Sequence, residues 1–392
     1  MNKDLINDLI LGYKAQFKYL PESYVTAGGR LEIIGNHTDH NHGLCIVGNC
    51  SLRIKAVVRK EENLVQILSK GHDYFEFDSN SLDCREEEYS TTKGMVRGIL
   101  AKCMELGYNV GGFSAYIESD IPEGSGVSSS AAFEVLVGEI INHLYNDDKI
   151  SSIELAKIGQ FSERVYFHKP CGLLDQIGAA FKDCNFIDFK NIDNPTIDTL
   201  DFNLDVKLYL INSEGDHSSL THLYAAIPDG MRAVANQLGE DFLRDTKEED
   251  FIKLVESKKF TDELAINKAK HFYQENKNVL ECKEAIENNN IEEFFDSIRK
   301  TQYGSHHYLE NTYVKGEYEE SPQHIIDRVN ELPGFAENGA IRIHGGGFKG
   351  SVLAFVKSSY ADVFEEFLKQ NYPTRYTSVS ISKEGTTKEL IK

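Results

Sequence analysis

The chain has 392 residues, of which 41% are hydrophobic and 27% are charged, as in an ordinary soluble globular protein. Its formal net charge of −20, with no local basic patch, argues against non-specific binding to nucleic acid. No apolar run approaches the roughly 18 residues that a membrane span needs, so we expect no membrane partner. The length predicts two domains with ample core.

The N-terminal segment MNKDLINDLILGYK predicts a short amphipathic helix, because it has neither the long apolar core nor the cleavage site of a signal peptide. The chain has seven cysteines without C-x-x-C spacing, a pattern that favours reduced thiols. We therefore expect a cytoplasmic protein.

The first half predicts a mostly antiparallel sheet followed by helices. Short β-branched runs predict strands at Tyr24–Thr26, Leu31–Ile34, Leu44–Val47, Ile54–Val58 and Leu64–Ser69. Apolar residues at helical spacing predict a helix over Thr92–Leu106. A strand at Gly112–Ile117 leads into a glycine-rich loop, and helices follow at Ser128–Tyr145 and Ile153–Phe167.

The second half begins near a strand at Val206–Ile211, where we place the boundary between domains 1–205 and 206–392. Helices are predicted at Met231–Leu238, Glu263–Asn278, Ile291–Leu309 and Pro322–Asn330. Strands are predicted at Ala340–His344, Val352–Val356 and Tyr376–Ile381. Helices mixed with antiparallel hairpins predict an α+β architecture in each half.

The loop Ile121–Phe133, IPEGSGVSSSAAF, has the composition of a phosphate-binding loop. Its glycines let backbone N–H groups approach an anion, and the next helix points its positive end at the same place. Three consecutive serine hydroxyls could bind phosphate oxygens or a metal ion. The chain contains no G-x-x-x-x-G-K-[ST], so P-loop chemistry is not indicated. The alternative is a Gly/Ser turn that caps an ordinary helix.

Two further segments extend this pattern, Gly29–Gly43 (GRLEIIGNHTDHNHG) and Ile341–Ser351 (IRIHGGGFKGS). Together with the glycine loop, they resemble the three motifs of the GHMP small-molecule kinases in the same order. The first is similar to the galactokinase signature, and Glu163 and the segment Pro170–Gln176 (PCGLLDQ) also match. The resemblance implies a two-domain GHMP kinase fold. It also implies transfer of phosphate from ATP to the C1 hydroxyl of α-D-galactose, giving galactose 1-phosphate and ADP.

The resemblance also implies roles for individual residues. Arg30 would lie beside the acceptor hydroxyl and the γ-phosphate, and Asp175 would face the C1 hydroxyl as a general base or an orienting group. Ser130 and Glu163 would bind Mg²⁺, which prefers such hard oxygen ligands. The implied sugar contacts are Asn36, His37, Asp39, Gly172 and Tyr224. The implied ATP contacts are Gly124, Ser125, Gly126, Ser128, Ser129 and Ser130.

Three positions depart from the galactokinase pattern. Asn36 stands where Glu usually bonds the C6 hydroxyl, His40 stands where Tyr is usual, and Glu32 stands where Asn is usual. These departures leave open another galacto-configured sugar, such as galacturonate or arabinose, or a catalytically silent sugar sensor.

Two other interpretations of these motifs are weaker. The compact run of His37, Asp39, His40 and His42 suggests zinc, but alternating side chains in a loop rarely converge. The segment Gly345–Gly350 matches G-x-G-x-x-G, yet its strand-like flanks predict a glycine hairpin near the substrate. We therefore expect a sugar kinase whose partners are small molecules, either a monomer or a weak homodimer.

Overall fold

The structure is a computed structural model that describes residues 3–122, 125–213 and 220–391. Its strands are β1 Ser23–Ile34, β2 Leu44–Glu61, β3 Leu64–Ser69, β4 Phe75–Asp78, β5 Gly112–Ser119, β6 Cys184–Asp188, β7 Thr196–Leu200, β8 Val206–Asn212, β9 Gly339–His344, β10 Ser351–Lys357, β11 Tyr376–Val379 and β12 Thr387–Leu390. Its helices are α1 Lys3–Phe17, α2 Thr92–Glu105, α3 Ser129–Tyr145, α4 Ser152–Val165, α5 Leu174–Ala180, α6 Thr221–Gln237, α7 Glu248–Glu256, α8 Glu263–Glu287, α9 Ile291–Gly304, α10 Pro322–Asn330, α11 Phe335–Asn338 and α12 Ala361–Asn371. The predicted α+β class is confirmed.

The larger sheet has the strand order β12-β1-β2-β5-β3-β4, and β6 and β7 extend it from β2. All of its pairs are antiparallel except β3 with β5, so the expectation of a mostly antiparallel sheet is confirmed. The runs predicted as separate strands at Tyr24–Thr26 and Leu31–Ile34 form the single strand β1. Register shifts after Gly28 and after Glu32 interrupt its alternation, as β-bulges do.

The smaller sheet has the order β11-β8-β10-β9 and is antiparallel throughout. We propose the domain boundary at residue 206 because its first strand, β8, begins there. Among the described strands after that position, β12 alone joins the larger sheet, where Thr387 pairs with Thr26 of β1.

Three helices differ clearly from their predicted lengths. Helix α8, predicted at Glu263–Asn278, continues for nine more residues and ends at Glu287. Helix α6 begins at Thr221, ten residues before the predicted start, and continues through Pro228, where a sequence rule would end a helix. The segment Ile291–Leu309 is α-helical only to Gly304 and then forms a π-helical turn at Ser305–Leu309. Such turns are frequent at functional sites. No helix among the described residues is long and apolar enough to cross a membrane.

Candidate active site

The glycine loop packs directly against β1. The backbone N–H of Arg30 donates to the carbonyl of Val127 at 2.8 Å. A Cβ atom on Gly29 would lie only 2.6 Å from that carbonyl oxygen, so this close approach requires glycine at position 29. The Arg30 side chain is thereby held at the glycine loop.

Arg30, Asp175 and Ser128 form a connected group at this junction. The Arg30 guanidinium is buried and donates from Nε to Asp175 Oδ1 at 2.8 Å, while its Nη1 donates to the Gly126 carbonyl. Ser128 precedes α3 in the left-handed conformation, with φ of 56°, and its hydroxyl donates to Asp175 Oδ2 at 2.6 Å. Burial alone would raise the pKa of Asp175, but the Arg30 charge and the two hydrogen bonds lower it overall. Asp175 is therefore an ionised carboxylate in a fixed orientation.

The turn after β1 places Asp39 and His37 beside this group. A Cβ atom on Gly172 would lie 2.5 Å from Asp39 Oδ2, so the Gly172 backbone closely approaches that carboxylate. Burial raises the pKa of Asp39, and the nearby charge of Asp175 adds to this effect. Burial also lowers the pKa of His37 to about 4. Two carboxylates with oppositely shifted pKa values thus occupy one site, an arrangement that is common in active sites.

A glycine hairpin connects β9 and β10 and lies next to His37 and Tyr224. The hairpin predicted at Gly345–Gly350 is therefore confirmed. His37 Nε2 lies 3.0 Å from the Gly346 carbonyl and donates to it, and the Tyr224 hydroxyl donates to the Gly347 carbonyl at 3.0 Å. Burial raises the pKa of Tyr224 to about 12, so its hydroxyl remains protonated at neutral pH. The hairpin therefore brings His37 and Tyr224, which are far apart in sequence, into one group.

Glu163 lies in the last turn of α4. Its buried carboxylate accepts from Lys169 Nζ at 2.8 Å and from Gln176 Nε2 at 2.9 Å. Gln176 also donates to Glu134, whose pKa is raised well above its ordinary value by burial and by the charge of Glu163. Of this carboxyl pair, Glu134 therefore has the pKa that is shifted upward.

The two residues predicted to bind the metal have the ligand chemistry that suits Mg²⁺ and not zinc. One carboxylate, Glu163, and one hydroxyl, Ser130 in the first turn of α3, suit a hard cation whose other ligands are phosphate oxygens and water. Within residues 3–122, 125–213 and 220–391, no group of three or more His, Cys, Asp or Glu side chains could hold a metal ion by itself.

The other predicted nucleotide contacts follow the glycine loop. Gly126 and Ser129 are exposed, whereas Ser125 is buried and its carbonyl accepts from the Ser351 hydroxyl at 2.9 Å. Gly124 lies outside the described residues. The loop is thus attached to β10 as well as to β1.

Several buried polar residues at the site were not identified from the sequence. Arg342 on β9 forms an ion pair with Glu32, with 2.7 Å between its Nη2 and Glu32 Oε1. Asn311, which follows the π-helical turn, donates to the Gly346 carbonyl at 3.1 Å. The arginine inside the otherwise apolar strand IRIH could have indicated Arg342 from the sequence, whereas no local pattern indicates Asn311. Lys349 of the glycine hairpin forms an ion pair with Glu317, with 2.7 Å between Nζ and Oε2.

Two family models match the chain. The model of the GHMP kinases N terminal domain matches residues 92–183, and that of the galactokinase galactose-binding signature matches residues 12–60. The galactokinase of Actinobacillus pleuropneumoniae is 30% identical over 366 residues, which cover 90% of each chain. The galactokinase of Clostridium acetobutylicum is 29% identical over 388 residues, which cover 94% of each chain.

The fold is also similar to solved structures. The galactokinase of Lactococcus lactis, crystallised with galactose, superposes with a TM-score of 0.83 at 20% identity, covering 99% of this chain and 100% of that one. The mevalonate kinase of Methanococcus jannaschii gives a TM-score of 0.66 at 16% identity, covering 91% and 98%. The structural similarity establishes the two-domain GHMP kinase fold, and the full-length sequence similarity establishes that this chain belongs to the galactokinase family.

Proposed function

We propose that this chain is an ATP-dependent galactokinase that phosphorylates the C1 hydroxyl of α-D-galactose. The observation that carries the proposal is the connected group of Arg30, Asp175 and Ser128, which joins the glycine loop to β1 and α5. Phosphoryl transfer needs an oriented nucleophile and positive charge at the transferring group, and these residues can supply both.

In the proposed reaction, the C1 oxygen forms a bond to the γ-phosphorus while the bond from that phosphorus to the bridging oxygen of ADP breaks. The hydroxyl proton passes to Asp175, or Asp175 only orients the hydroxyl and the proton leaves by another route. Arg30 neutralises charge on the transferring group, because a buried guanidinium acts in a medium of low dielectric constant.

The sugar and the nucleotide are assigned to opposite sides of this group. We assign the sugar hydroxyls to the Asp39 carboxylate, the Gly172 backbone, His37 and Tyr224. We assign the ATP phosphates to the glycine loop, with Gly124, Ser125, Gly126, Ser128, Ser129 and Ser130 as contacts. Ser130 and Glu163 would hold Mg²⁺, which when bound neutralises phosphate charge. Lys169 Nζ donates to Glu163 Oε1 at 2.8 Å, and Mg²⁺ bound at Glu163 would replace this contact.

The direct test is a coupled assay of ADP release over hexoses, pentoses and uronic acids, including arabinose and galacturonate, with and without Mg²⁺. We expect Mg²⁺-dependent ADP release with galactose as the best substrate. No release above background from folded protein would contradict the enzyme assignment. A clear preference for another sugar of the panel would contradict the galactose assignment alone.

The pH dependence of kcat/KM for galactose provides a second prediction. Asp39 must be ionised to accept strong hydrogen bonds from sugar hydroxyls, and its pKa is raised by burial. Lowering the pH should therefore reduce kcat/KM at a higher pH than an ordinary aspartate, with a pKa of about 3.9, would predict. Asp175 should remain ionised throughout this fall because its pKa is lowered.

The measurement is the pH profile of kcat/KM, with unfolding monitored at each pH. The variant Asp39→Asn is the control, and its kcat/KM should not show the fall that is assigned to protonation of Asp39. An identical profile in the variant would show that another group titrates.

The cellular location is also a proposal. All seven cysteines lie in the described part of the chain and all are free thiols, which supports the cytoplasm as the location. Assembly as a monomer or weak homodimer stays a prediction.

A further inference from the structure

The side-chain amide of Asn36 is buried at the base of the site, with an exposed fraction of 1%. Its Nδ2 donates to Glu32 Oε1 at 3.0 Å and to the Gly345 carbonyl at 2.8 Å. Its Oδ1 accepts from Asn311 Nδ2 at 3.0 Å and from the Ser305 hydroxyl at 3.3 Å. Both hydrogens and both lone pairs of the amide are therefore used inside the protein.

The carboxylate next to this amide is charged. Burial would raise the pKa of Glu32, but Arg342, Arg30 and the hydrogen bonds lower it overall. Arg342 is fully buried, and its Nη1 also donates to the carbonyls of Glu32 and Ile33 at 3.0 Å. The Glu32 carboxylate thus lies where the Arg342 guanidinium neutralises its charge.

The Gly345–Gly347 hairpin connects this pair to the site. A Cβ atom on Gly345 would lie 3.5 Å from Arg30 Nη2, so the hairpin backbone adjoins that guanidinium. His37 and Tyr224 donate to the next two carbonyls of the hairpin. A displacement of the hairpin would consequently displace the groups that face the substrate.

We propose that Glu32 and Asn36 form a positioning pair that fixes the Gly345–Gly347 hairpin against β1. The pair acts on the sugar through the hairpin, which differs from the direct sugar contact that the family resemblance implies for Asn36. The expected effect of this pair on kcat/KM rests on the proposed galactokinase function. Its expected effect on the hairpin does not.

The test is Asn36→Asp, which keeps the shape, removes both amide donors and places a carboxylate against Glu32 and the Gly345 carbonyl. Losing donors to buried acceptors should lower kcat/KM for galactose by about tenfold or more. The dissociation constant of ADP should not change. Hydrogen exchange of the amides in 345–350 should become faster.

The matched control is Asn142→Asp. Asn142 on α3 is equally buried, and its amide also donates to a carboxylate, Glu139, and to a carbonyl, that of Ile150, both at 3.1 Å. It lies outside the site, so its variant should lose stability without changing kcat/KM or hairpin exchange. Equal effects of the two variants on kcat/KM and exchange would overturn the proposal.

The double variant Glu32→Gln with Asn36→Asp provides a rescue. An amide at 32 facing an acid at 36 removes the contact between two carboxylates, but it leaves the Gly345 carbonyl without its donor. Its kcat/KM and exchange should therefore lie between those of Asn36→Asp and the unmodified protein. If Asn36→Asp does not fold, the double variant replaces it in the comparison with Asn142→Asp. A double variant with the kcat/KM and hairpin exchange of the unmodified protein would then overturn the proposed positioning pair.

The two proposals fail in different ways. If the unmodified protein does not phosphorylate galactose, the proposed function is contradicted. The hydrogen-exchange rates of the amides in 345–350 would still test the positioning pair in that case. Normal kinetics and exchange in Asn36→Asp would contradict only the pair.

Discussion

Replacing Asp175 by Asn is expected to lower kcat for galactose phosphorylation by at least about a hundredfold, the lower range for losing a positioned acid–base group. An amide can neither take the proton of the hydroxyl nor balance the buried charge of Arg30, which lies 2.8 Å away. The change is nearly isosteric, so the protein should fold and bind ADP. Steady-state kinetics, thermal unfolding and ADP titration would separate these effects.

Asp188→Asn is the control for this variant. Asp188 also forms an ion pair with an arginine, Arg244, at 2.7 Å, but this pair is partly exposed and lies outside the site. The control should leave kcat unchanged. Near-normal turnover in Asp175→Asn would show that Asp175 is structural and takes no part in the chemistry.

Replacing Arg30 by Lys is expected to lower kcat by about a thousandfold, as the loss of an arginine that stabilises a transferring phosphate does. Lysine keeps the charge but cannot reproduce the fork that holds Asp175 and the Gly126 carbonyl together. We therefore expect Asp175 to lose its fixed orientation and the glycine loop to shift. Stopped-assay turnover with saturating galactose and MgATP measures the effect.

Arg97→Lys is a matched control because Arg97 is also buried and also binds a carboxylate, that of Glu88, to which its Nε and Nη2 donate at 2.7 and 2.8 Å. The Arg97→Lys substitution should lower the melting temperature without lowering kcat of the folded protein. A similar fall of kcat in both variants would indicate that general destabilisation, and not the chemistry at Arg30, explains the result.

Much of the fold was predictable, because periodicity and β-branched runs report on local structure. Helix α2, Thr92–Glu105, ends one residue before its predicted end, and β3 has the predicted bounds. The single strand β1 was not predictable as one element, because its bulges place polar site residues within a fully buried strand. The start of α6 was predicted ten residues too late, and the helix contains Pro228, which local rules disfavour inside a helix.

The candidate site was predictable only where a contiguous motif carries it. The motifs identified Arg30, Asp175 and the serines of the glycine loop, but not that Ser128 would donate to Asp175. The partnership of Glu32 with Arg342 joins residues 310 positions apart. No local pattern specifies such a contact, because it depends on how the two sheets meet.

The position of the phosphate on the product tests the central claim most directly. The protein should be incubated with galactose and MgATP, and the product should be examined by phosphorus and proton NMR. The account predicts one sugar phosphate, with phosphorus coupled to the anomeric proton of α-galactose. Phosphate on any other hydroxyl, or ATP hydrolysis without a sugar phosphate, would contradict it.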